Sequence, residues 1–318
     1  MKRRMFNGAK KIIKKLLGRR MIRCMLEYNV KRNYATTRFT KYFFTILFIL
    51  PGIISYFRST IPYIEMDVTS RCSLSCKECT HFIPVYQNRG MSRDVDVTVL
   101  LENIELLMSR IDKCLIFRIT GGEPFLYEQL SVVINRLTIE SKVKHVEIAT
   151  NGTVMPGEKV LEALHNKKVT VSISDYGVLS NKKAEIIKIL SKRGILVKIT
   201  GFIWYEANSL MPRNYTEKKV ESLFFNCIGS EFKCLFDSKI WLCPQALHGS
   251  VLELVETNES EFVDLREHTG KDFMRRLNRL YRYSAKLTTC RNCTGVCPEF
   301  SKRVPCAQQI TTGSGIAN

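Results

Sequence analysis

The fold is decided by the stretch DVTSRCSLSCKEC at residues 67–79, which places three cysteines at a C-x3-C-x2-C spacing after a largely apolar run. Iron–sulfur clusters are held by cysteine thiolates, normally four. Three thiolates in one short loop can therefore hold a [4Fe–4S] cube and leave one iron without a protein ligand. An open metal position is where a substrate or cofactor binds, by the logic that separates catalytic from structural zinc sites.

A second motif, ITGGEP at residues 119–124, again ends a strand-like run. Together the two motifs resemble the radical S-adenosylmethionine (radical SAM) superfamily, over residues 62–200 for its core and to about residue 306 if the later cysteines belong to it. A structural zinc site is the alternative, but zinc normally takes its fourth ligand from nearby and would leave GGEP without a role.

The resemblance implies two sets of site residues. A [4Fe–4S] cluster is expected on three cysteines, Cys72, Cys76 and Cys79. The methionine amino group of SAM is expected at the GGE motif, on the backbone of Gly121 and Gly122 and on Glu123.

The same resemblance implies the activity. A reduced flavodoxin or ferredoxin would supply one electron, SAM would be cleaved to methionine and a 5′-deoxyadenosyl radical, and the radical would take hydrogen from a substrate C–H bond. The cofactors would carry the difficult chemistry while the protein orients them. A non-catalytic iron–sulfur or zinc interaction protein is the alternative from a different class.

Strand-like and helical patterns alternate from residue 61 onward, which is the βαβ rhythm of a parallel sheet. The predicted strands are Tyr63–Val68, Leu115–Thr120, Val143–Thr150, Val169–Ser174 and Ile195–Thr200. The predicted helices are Val97–Arg110, Tyr127–Ser141, Lys159–Asn166 and Lys182–Arg193. The fold class is α/β, and the resemblance implies a partial (β/α)6 TIM-like barrel.

In barrels of this kind the chemistry lies at the carboxyl ends of the strands. Asn151 follows the third predicted strand, and it belongs either to a cofactor contact or to an ordinary turn. Ser174 and Asp175 close the fourth strand, and by family likeness they are candidates for the ribose or carboxylate of SAM. Asp175 could equally cap a helix.

One position departs from the family pattern. The residue before the third cysteine is usually aromatic and covers the adenine, whereas here it is Glu78. The adenine contact is then expected elsewhere, with His81 or Phe82 as candidates. Packing alone is the other interpretation of that loop.

Seven cysteines follow the predicted barrel, and they resemble the C-terminal extensions called SPASM and twitch. Cys227, ten residues, Ser238, four residues and Cys243 match the first half of the twitch pattern, with serine where glycine is expected. Cys290 and Cys293 supply the later C-x2-C. We therefore expect one auxiliary cluster on Cys227, Cys243, Cys290 and Cys293. Three questions stay open: whether Cys234 competes with Cys227, whether Cys297 or Cys306 binds metal, and whether the site holds zinc instead.

The net charge of +19 is concentrated at the N-terminus, where residues 1–41 carry fourteen Lys and Arg residues against Glu27. A basic amphipathic helix is predicted over residues 9–28, and an uncharged run at residues 42–57 is broken by Pro51. Such a segment suits peripheral attachment to an anionic membrane or a helix packed on the barrel. No reading motif supports nucleic-acid binding.

Twelve cysteines at the spacing of metal ligands indicate a reducing, cytoplasmic compartment, with the inner face of the membrane as a further possibility. The predicted domains are a basic helical extension at residues 1–60, the barrel at 61–215, a small Cys-rich cluster domain at 216–306 and a disordered tail at 307–318. The first sixty residues lack the winged-helix pattern of peptide maturases. We therefore expect a small molecule or glycan precursor as substrate, with a ribosomal peptide or protein side chain as the alternative.

Overall fold

The computed structural model describes residues 59–201, 203–207, 209–298 and 301–310. The basic extension predicted for residues 1–60 therefore lies almost wholly outside the described residues, as do residues 311–318. Among the described residues no helix is long and apolar enough to cross a membrane.

The described residues contain ten strands and nine α-helices. The strands are β1 (Thr60–Thr69), β2 (Lys113–Gly121), β3 (Val146–Thr150), β4 (Val169–Ser174), β5 (Leu196–Thr200), β6 (Trp204–Tyr205), β7 (Lys233–Phe236), β8 (Lys239–Trp241), β9 (Phe262–Asp264) and β10 (Arg303–Val304). The helices are α1 (Ile83–Asn88), α2 (Val97–Arg110), α3 (Leu130–Ile139), α4 (Glu158–Leu164), α5 (Lys183–Lys192), α6 (Glu217–Asn226), α7 (Pro244–Val251), α8 (Gly270–Arg279) and α9 (Thr288–Asn292).

The sheet has eight strands in the order β5-β4-β3-β2-β1-β7-β8-β9. Strands β1 to β5 are parallel neighbours in chain order, and helices α2 to α5 connect them as crossovers. The predicted α/β class, with a mostly parallel sheet surrounded by helices, is confirmed. The sixth parallel strand is β7, which pairs with β1 instead of continuing beyond β5.

The helix α2 begins and ends where the sequence predicts. Its N-cap is Asp96, whose carboxylate accepts a hydrogen bond of 2.8 Å from the Thr98 amide and so satisfies one free donor of the first turn. By contrast, β3 begins three residues later than predicted, because Val143 forms only an isolated bridge with Cys114.

The two faces of the parallel sheet differ in polarity. On β1, Ile64, Met66 and Val68 belong to the main hydrophobic core. Side chains two apart on a strand share a face, so Glu65 and Asp67 lie on the opposite face. Both acids are buried, at 5% and 9% exposure. The sheet therefore packs an apolar core on one side and encloses polar groups on the other.

Ser238 lies in the tight turn between β7 and β8 at the position where the family pattern expects glycine. Its φ is +58°, and that of the preceding Asp237 is +48°. The Ser238 amide donates a hydrogen bond of 2.6 Å to the side chain of Asn103 on α2. The turn thus requires the left-handed conformation that glycine adopts most cheaply, and serine adopts it here.

We predict that Ser238→Gly raises the free energy of unfolding by about 0.5–1 kcal/mol. The left-handed conformation costs an L-residue roughly 1–2 kcal/mol, and the greater freedom of glycine in the unfolded chain offsets part of that gain. Thermal or denaturant unfolding measures the change. Ser141→Gly is the matched control, since Ser141 is exposed and lacks a positive φ. Equal destabilisation by both substitutions would contradict the prediction.

Candidate functional site

The cysteine loop and the GGE turn lie in contact at the carboxyl ends of β1 and β2. The Gly122 amide donates to the Thr69 carbonyl at 2.7 Å, and the Glu123 amide donates to the Arg71 carbonyl at 2.9 Å. The two predicted motifs therefore meet at one rim of the sheet, as the carboxyl ends of neighbouring parallel strands do.

Both glycines of the motif are required by this contact. A Cβ at Gly122 would lie 2.0 Å from the Arg71 carbonyl oxygen, and one at Gly121 would lie 2.4 Å from the Thr69 carbonyl oxygen. Gly121 also has a φ of +131°. A side chain at either position would push the cysteine loop away from β2.

We predict that Gly122→Ala prevents cluster assembly, because the loop of Cys72 cannot keep its place once the backbone approach is blocked. Iron and sulfide content and the visible absorbance of the reconstituted protein measure the effect. Gly201→Ala, just after β5, is the control, because its Cβ would meet nothing within 4 Å. Full iron loading of Gly122→Ala would refute the requirement.

The three loop thiols are close enough to raise one another's pKa. Burial raises the pKa of Cys72 and of Cys79 to about 12, and that of Cys76 to about 11, and neighbouring thiols add to each shift. These values apply to the thiols without metal. A cation bound to them would reverse this preference for the protonated form, since coordinating thiols are deprotonated.

Polar groups from three parts of the chain reach the loop sulfurs. The Cys72 sulfur accepts hydrogen bonds from the Leu74 amide at 3.4 Å and from the Asn151 side chain at 3.5 Å. The Cys76 sulfur accepts one from the Gln309 side chain at 3.3 Å. Donors around sulfur favour its thiolate form and tune a bound cluster. Three grouped thiols with amide donors thus fit a cluster.

Glu123 is fully buried, and its carboxylate already has three donors. Thr150 donates its hydroxyl at 2.8 Å, the Asn151 amide donates at 2.7 Å and the Phe125 amide donates at 3.1 Å. Burial raises the pKa of this carboxyl to about 7. Its side chain therefore ties the GGE turn to the end of β3, an arrangement that orients Asn151 toward Cys72.

The other candidates for SAM contacts differ in their surroundings. Ser174 is buried, at 6% exposure, at the end of β4. Asp175 pairs with Lys183 at 2.7 Å and accepts from the Gly177 amide at 3.0 Å. Asp175 is thus held by a lysine and by the turn that follows β4, whereas Ser174 is buried where that strand ends.

Neither residue proposed for the adenine contact is placed for it. Phe82 is 1% exposed and packs with Tyr86 and Leu210 in a small second core. Nδ1 of His81 lies 3.0 Å from Oδ2 of Asp67. Phe82 therefore agrees with the packing interpretation of this loop, and His81 is held by an ion pair.

Two aromatic residues that the sequence analysis did not consider lie beside the loop instead. Tyr176, on the turn after β4, stacks edge-on against Trp204 at 5.6 Å between ring centroids. Burial and the nearby thiols of Cys76 and Cys79 raise the pKa of Tyr176. In the sequence, the Tyr-Gly pair at residues 176–177 follows a predicted strand, and this turn signal could have drawn attention to Tyr176. Glu78 meanwhile accepts a hydrogen bond of 3.0 Å from the Ala207 amide.

Residues 307–310 differ from the predicted disordered tail. The Lys77 amide donates to the Gln308 carbonyl and the Ile310 amide donates to the Ser75 carbonyl, each at 2.8 Å. Ala307 is fully buried. The segment adds backbone hydrogen bonds to the cysteine loop, which explains why it is ordered there. The nearby Cys306 thiol raises the pKa of Cys76.

The four cysteines predicted for an auxiliary cluster lie together in the C-terminal region. The thiol of Cys290 has its pKa raised by burial and then by Cys243, Cys227 and Cys293. No three of these sulfurs lie within 4.8 Å of one another in the described part of the chain. A single tetrahedral zinc would bring its sulfurs to about 3.8 Å apart.

Two further cysteines lie near the predicted auxiliary ligands. The Cys234 thiol lies 3.6 Å from a carboxylate oxygen of Glu65 on the polar face of the sheet, and Cys243 adds to the rise that burial causes in its pKa. The buried Cys297 thiol donates to the Leu223 carbonyl at 3.4 Å. A Cβ at Gly295 would lie 3.1 Å from the Cys297 sulfur and 4.0 Å from the Cys227 sulfur.

We predict that Cys243→Ala removes about half of the iron of the fully assembled protein, because one of two [4Fe–4S] clusters loses a ligand. Metal analysis after anaerobic reconstitution measures it. Cys114→Ala is the control, because Cys114 is a fully buried residue of β2 whose thiol donates to the Ile116 carbonyl. The prediction would be wrong if zinc replaced the lost iron, or if both variants lost the same amount of iron.

Comparison with known proteins agrees with this geometry. Residues 66–176 match the model of the Radical SAM superfamily. This part of the chain is therefore similar to a radical SAM domain, and the three grouped thiols of its cysteine loop fit the [4Fe–4S] cluster of that superfamily.

The curated relatives cover only part of the chain. A GTP 3′,8-cyclase of Clostridium perfringens (strain SM101 / Type A) is 26% identical over 142 residues, 44% of this chain and 41% of that protein. A GTP 3′,8-cyclase of Aquifex aeolicus is 25% identical over 185 residues, 52% of this chain and 53% of that protein. The chain thus spans about half the length of these relatives or less.

Solved structures resemble the chain at low identity. BtrN in complex with AdoMet and 2-DOIA has a TM-score of 0.48 at 14% identity and covers 80% of this chain and 98% of its own. Streptococcus suis SuiB bound to S-adenosylmethionine has a TM-score of 0.36 at 15% identity and covers 62% of this chain and 45% of its own.

Proposed function

We propose that this protein cleaves S-adenosylmethionine reductively and removes hydrogen from a C–H bond of a small polar molecule, such as a glycan precursor. The observation that carries the proposal is the contact between the cysteine loop and the GGE turn, whose amides lie 2.7 Å and 2.9 Å from the Thr69 and Arg71 carbonyls. When bound, the cluster and SAM supply the radical chemistry.

The chain's own residues would position these cofactors. Cys72, Cys76 and Cys79 are the proposed cluster ligands. The GGE turn is proposed to receive the amino group of SAM through its backbone, since the Glu123 carboxylate already has three donors. Tyr176 and Trp204 are placed to exclude water from the rim beside Cys76.

A charged row across the sheet supports a polar substrate. Glu65 on β1 is the register partner of Arg118 on β2, and Arg118 is the register partner of Glu147 on β3. Nη1 of Arg118 lies 3.5 Å from Oε1 of Glu147, and Nζ of Lys198 on β5 lies 3.9 Å from Oε2 of Glu147. Mixed charges of this kind suit a substrate carrying hydroxyl or amino groups.

Two buried atoms on this face lack a hydrogen-bond partner in the described residues, Nε of Arg118 and Oγ of Ser172. Ser172 is 1% exposed and is the register partner of Lys198. Buried polar atoms are normally satisfied, so these two are proposed substrate contacts.

The charge balance bears on whether GTP, the substrate named for the curated relatives, suits this face. Glu65, Asp67 and Glu147 provide three acids, against three basic groups, Arg118, Lys198 and His81. Burial lowers the pKa of His81, but Asp67 outweighs that effect and raises it to about 9, so the face carries no excess of positive charge. A triphosphate needs an excess of positive charge. A neutral or amino-bearing molecule is therefore the better match for this chain.

The predicted partners rest on the sequence alone. A flavodoxin or ferredoxin as electron donor, the auxiliary cluster as electron acceptor, and membrane contact through residues 1–60 are proposals. Cys227 precedes β7 and Cys243 follows β8, and β7 pairs with β1, the strand that leads into the radical SAM loop. Electron transfer between the two sites is compatible with that arrangement.

We expect the anaerobically reconstituted full chain to convert S-adenosylmethionine to 5′-deoxyadenosine when dithionite is supplied. Cys76→Ala should abolish this product, because the cluster loses one of three ligands. Chromatography of the quenched reaction measures it. Cys114→Ala is the control, because Cys114 is a buried residue of β2 whose thiol donates a hydrogen bond to the Ile116 carbonyl. No 5′-deoxyadenosine from the wild-type protein would defeat the proposal.

The substrate class is tested in the same reaction. Deuterated polyols and aminosugars should transfer deuterium to 5′-deoxyadenosine, and Arg118→Gln should reduce that transfer more than it reduces SAM cleavage. Deuterium arriving only from a labelled peptide would favour the alternative, a maturase of peptides or protein side chains.

A further inference from the structure

Three side chains from distant parts of the chain converge on the polar face of the sheet. Asp67 comes from β1, His81 from the loop after the third cysteine, and His248 from α7. Their side chains are 11%, 16% and 7% exposed. Neither the radical SAM motifs nor the auxiliary cysteines account for them.

The three nearest atoms form a compact triangle. Oδ2 of Asp67 lies 3.0 Å from Nδ1 of His81 and 3.0 Å from Nε2 of His248. The two histidine nitrogens are 3.3 Å apart. Three ligands about 2.1 Å from one ion lie about 3.0 Å apart at right angles and about 3.4 Å apart in a tetrahedron. The observed spacing falls within this range.

A proton on each nitrogen would place two donors on one carboxylate oxygen and leave the two nitrogens 3.3 Å apart without a hydrogen bond between them. A cation at the centre would instead receive a lone pair from each of the three atoms.

A fourth residue orients one ligand. The Tyr86 hydroxyl lies 3.0 Å from Nδ1 of His248. With Nδ1–H donating to Tyr86, Nε2 of His248 keeps its lone pair for the triangle, which is the usual way an outer hydrogen bond fixes a metal-binding histidine.

The surrounding charge also favours a cation. Glu65 lies two residues before Asp67 on the same face of β1, at 5% exposure. The Cys234 thiol lies 3.6 Å from a carboxylate oxygen of Glu65. The Tyr63 hydroxyl lies between Glu65 and Arg118, at 3.1 Å from Glu65 and 3.2 Å from Arg118. A divalent ion would offset two buried carboxylates.

We propose that Asp67, His81 and His248 bind a divalent transition-metal ion of the zinc or iron(II) class, separate from both sets of cluster cysteines. Two histidines and one carboxylate are a known three-ligand set for such ions and leave further positions open. An oxygen or nitrogen atom of a small molecule at the polar face of the sheet would occupy an open coordination position of the ion. The proposal goes beyond SAM cleavage and does not depend on it.

The test uses the full chain with its clusters assembled anaerobically, then equilibrated with zinc and freed of weakly bound metal. We expect about one zinc per chain. Zinc X-ray absorption should report nitrogen and oxygen ligands at about 2.0–2.1 Å with imidazole outer scattering, and no sulfur at about 2.3 Å. Zinc bound through sulfur, or no retained zinc, would overturn the proposal and indicate a hydrogen-bonded triad only.

Variants separate the site from general damage. His248→Gln should lose the zinc while keeping cluster iron, whereas His268→Gln, whose histidine pairs with Asp272 at 2.9 Å, should keep both. Tyr86→Phe keeps all three ligands and should weaken zinc binding about 10–100-fold in a chelator competition. Unchanged zinc affinity in both His248→Gln and Tyr86→Phe would refute the site. Loss of 5′-deoxyadenosine formation with zinc binding intact would count against SAM cleavage alone.

Discussion

The backbone of the GGE turn approaches the cysteine loop more closely than any side chain would permit, and the rim of the sheet depends on that approach. Gly122 has no room for a Cβ beside the Arg71 carbonyl, and its amide is bonded to the Thr69 carbonyl. Glu123 then fixes the turn to β3 with three hydrogen bonds. One contact between two loops therefore positions the groups from three strands that surround Cys72.

The C-terminal region completes the same rim from the other side. The Gln309 side chain donates a hydrogen bond to the Cys76 sulfur, and the Glu78 carboxylate accepts one from the Ala207 amide. The strand β7 extends the sheet beyond β1 and carries Cys234 toward the polar face. Hydrogen bonds to the sulfurs of a cluster influence its reduction potential, so segments more than 200 residues apart contribute to one cofactor environment.

The polar face of the parallel sheet carries charged side chains. A parallel sheet covered on both sides is normally apolar on both faces, yet here Glu65, Arg118 and Glu147 form a continuous row. Burying such groups is costly unless they are paired. Arg118 and Glu147 form an ion pair within this row, and Asp67 with its two histidines lies on the same face of the sheet.

Sequence alone determined the α/β class and the strands and helices of the parallel sheet to within a few residues, because these follow from local periodicity. The resemblance of the cysteine and GGE motifs to a known family implied that the two motifs act together. The surroundings of Phe82 and His81 stayed open, since a loop's composition does not say which side chains pack inward. The adjacency of His248 to Asp67, of Gln309 to Cys76 and of β7 to β1 was decided only by tertiary structure. Contacts between residues so distant in the chain depend on how crossover helices return each strand to the sheet, and no short stretch of sequence records that.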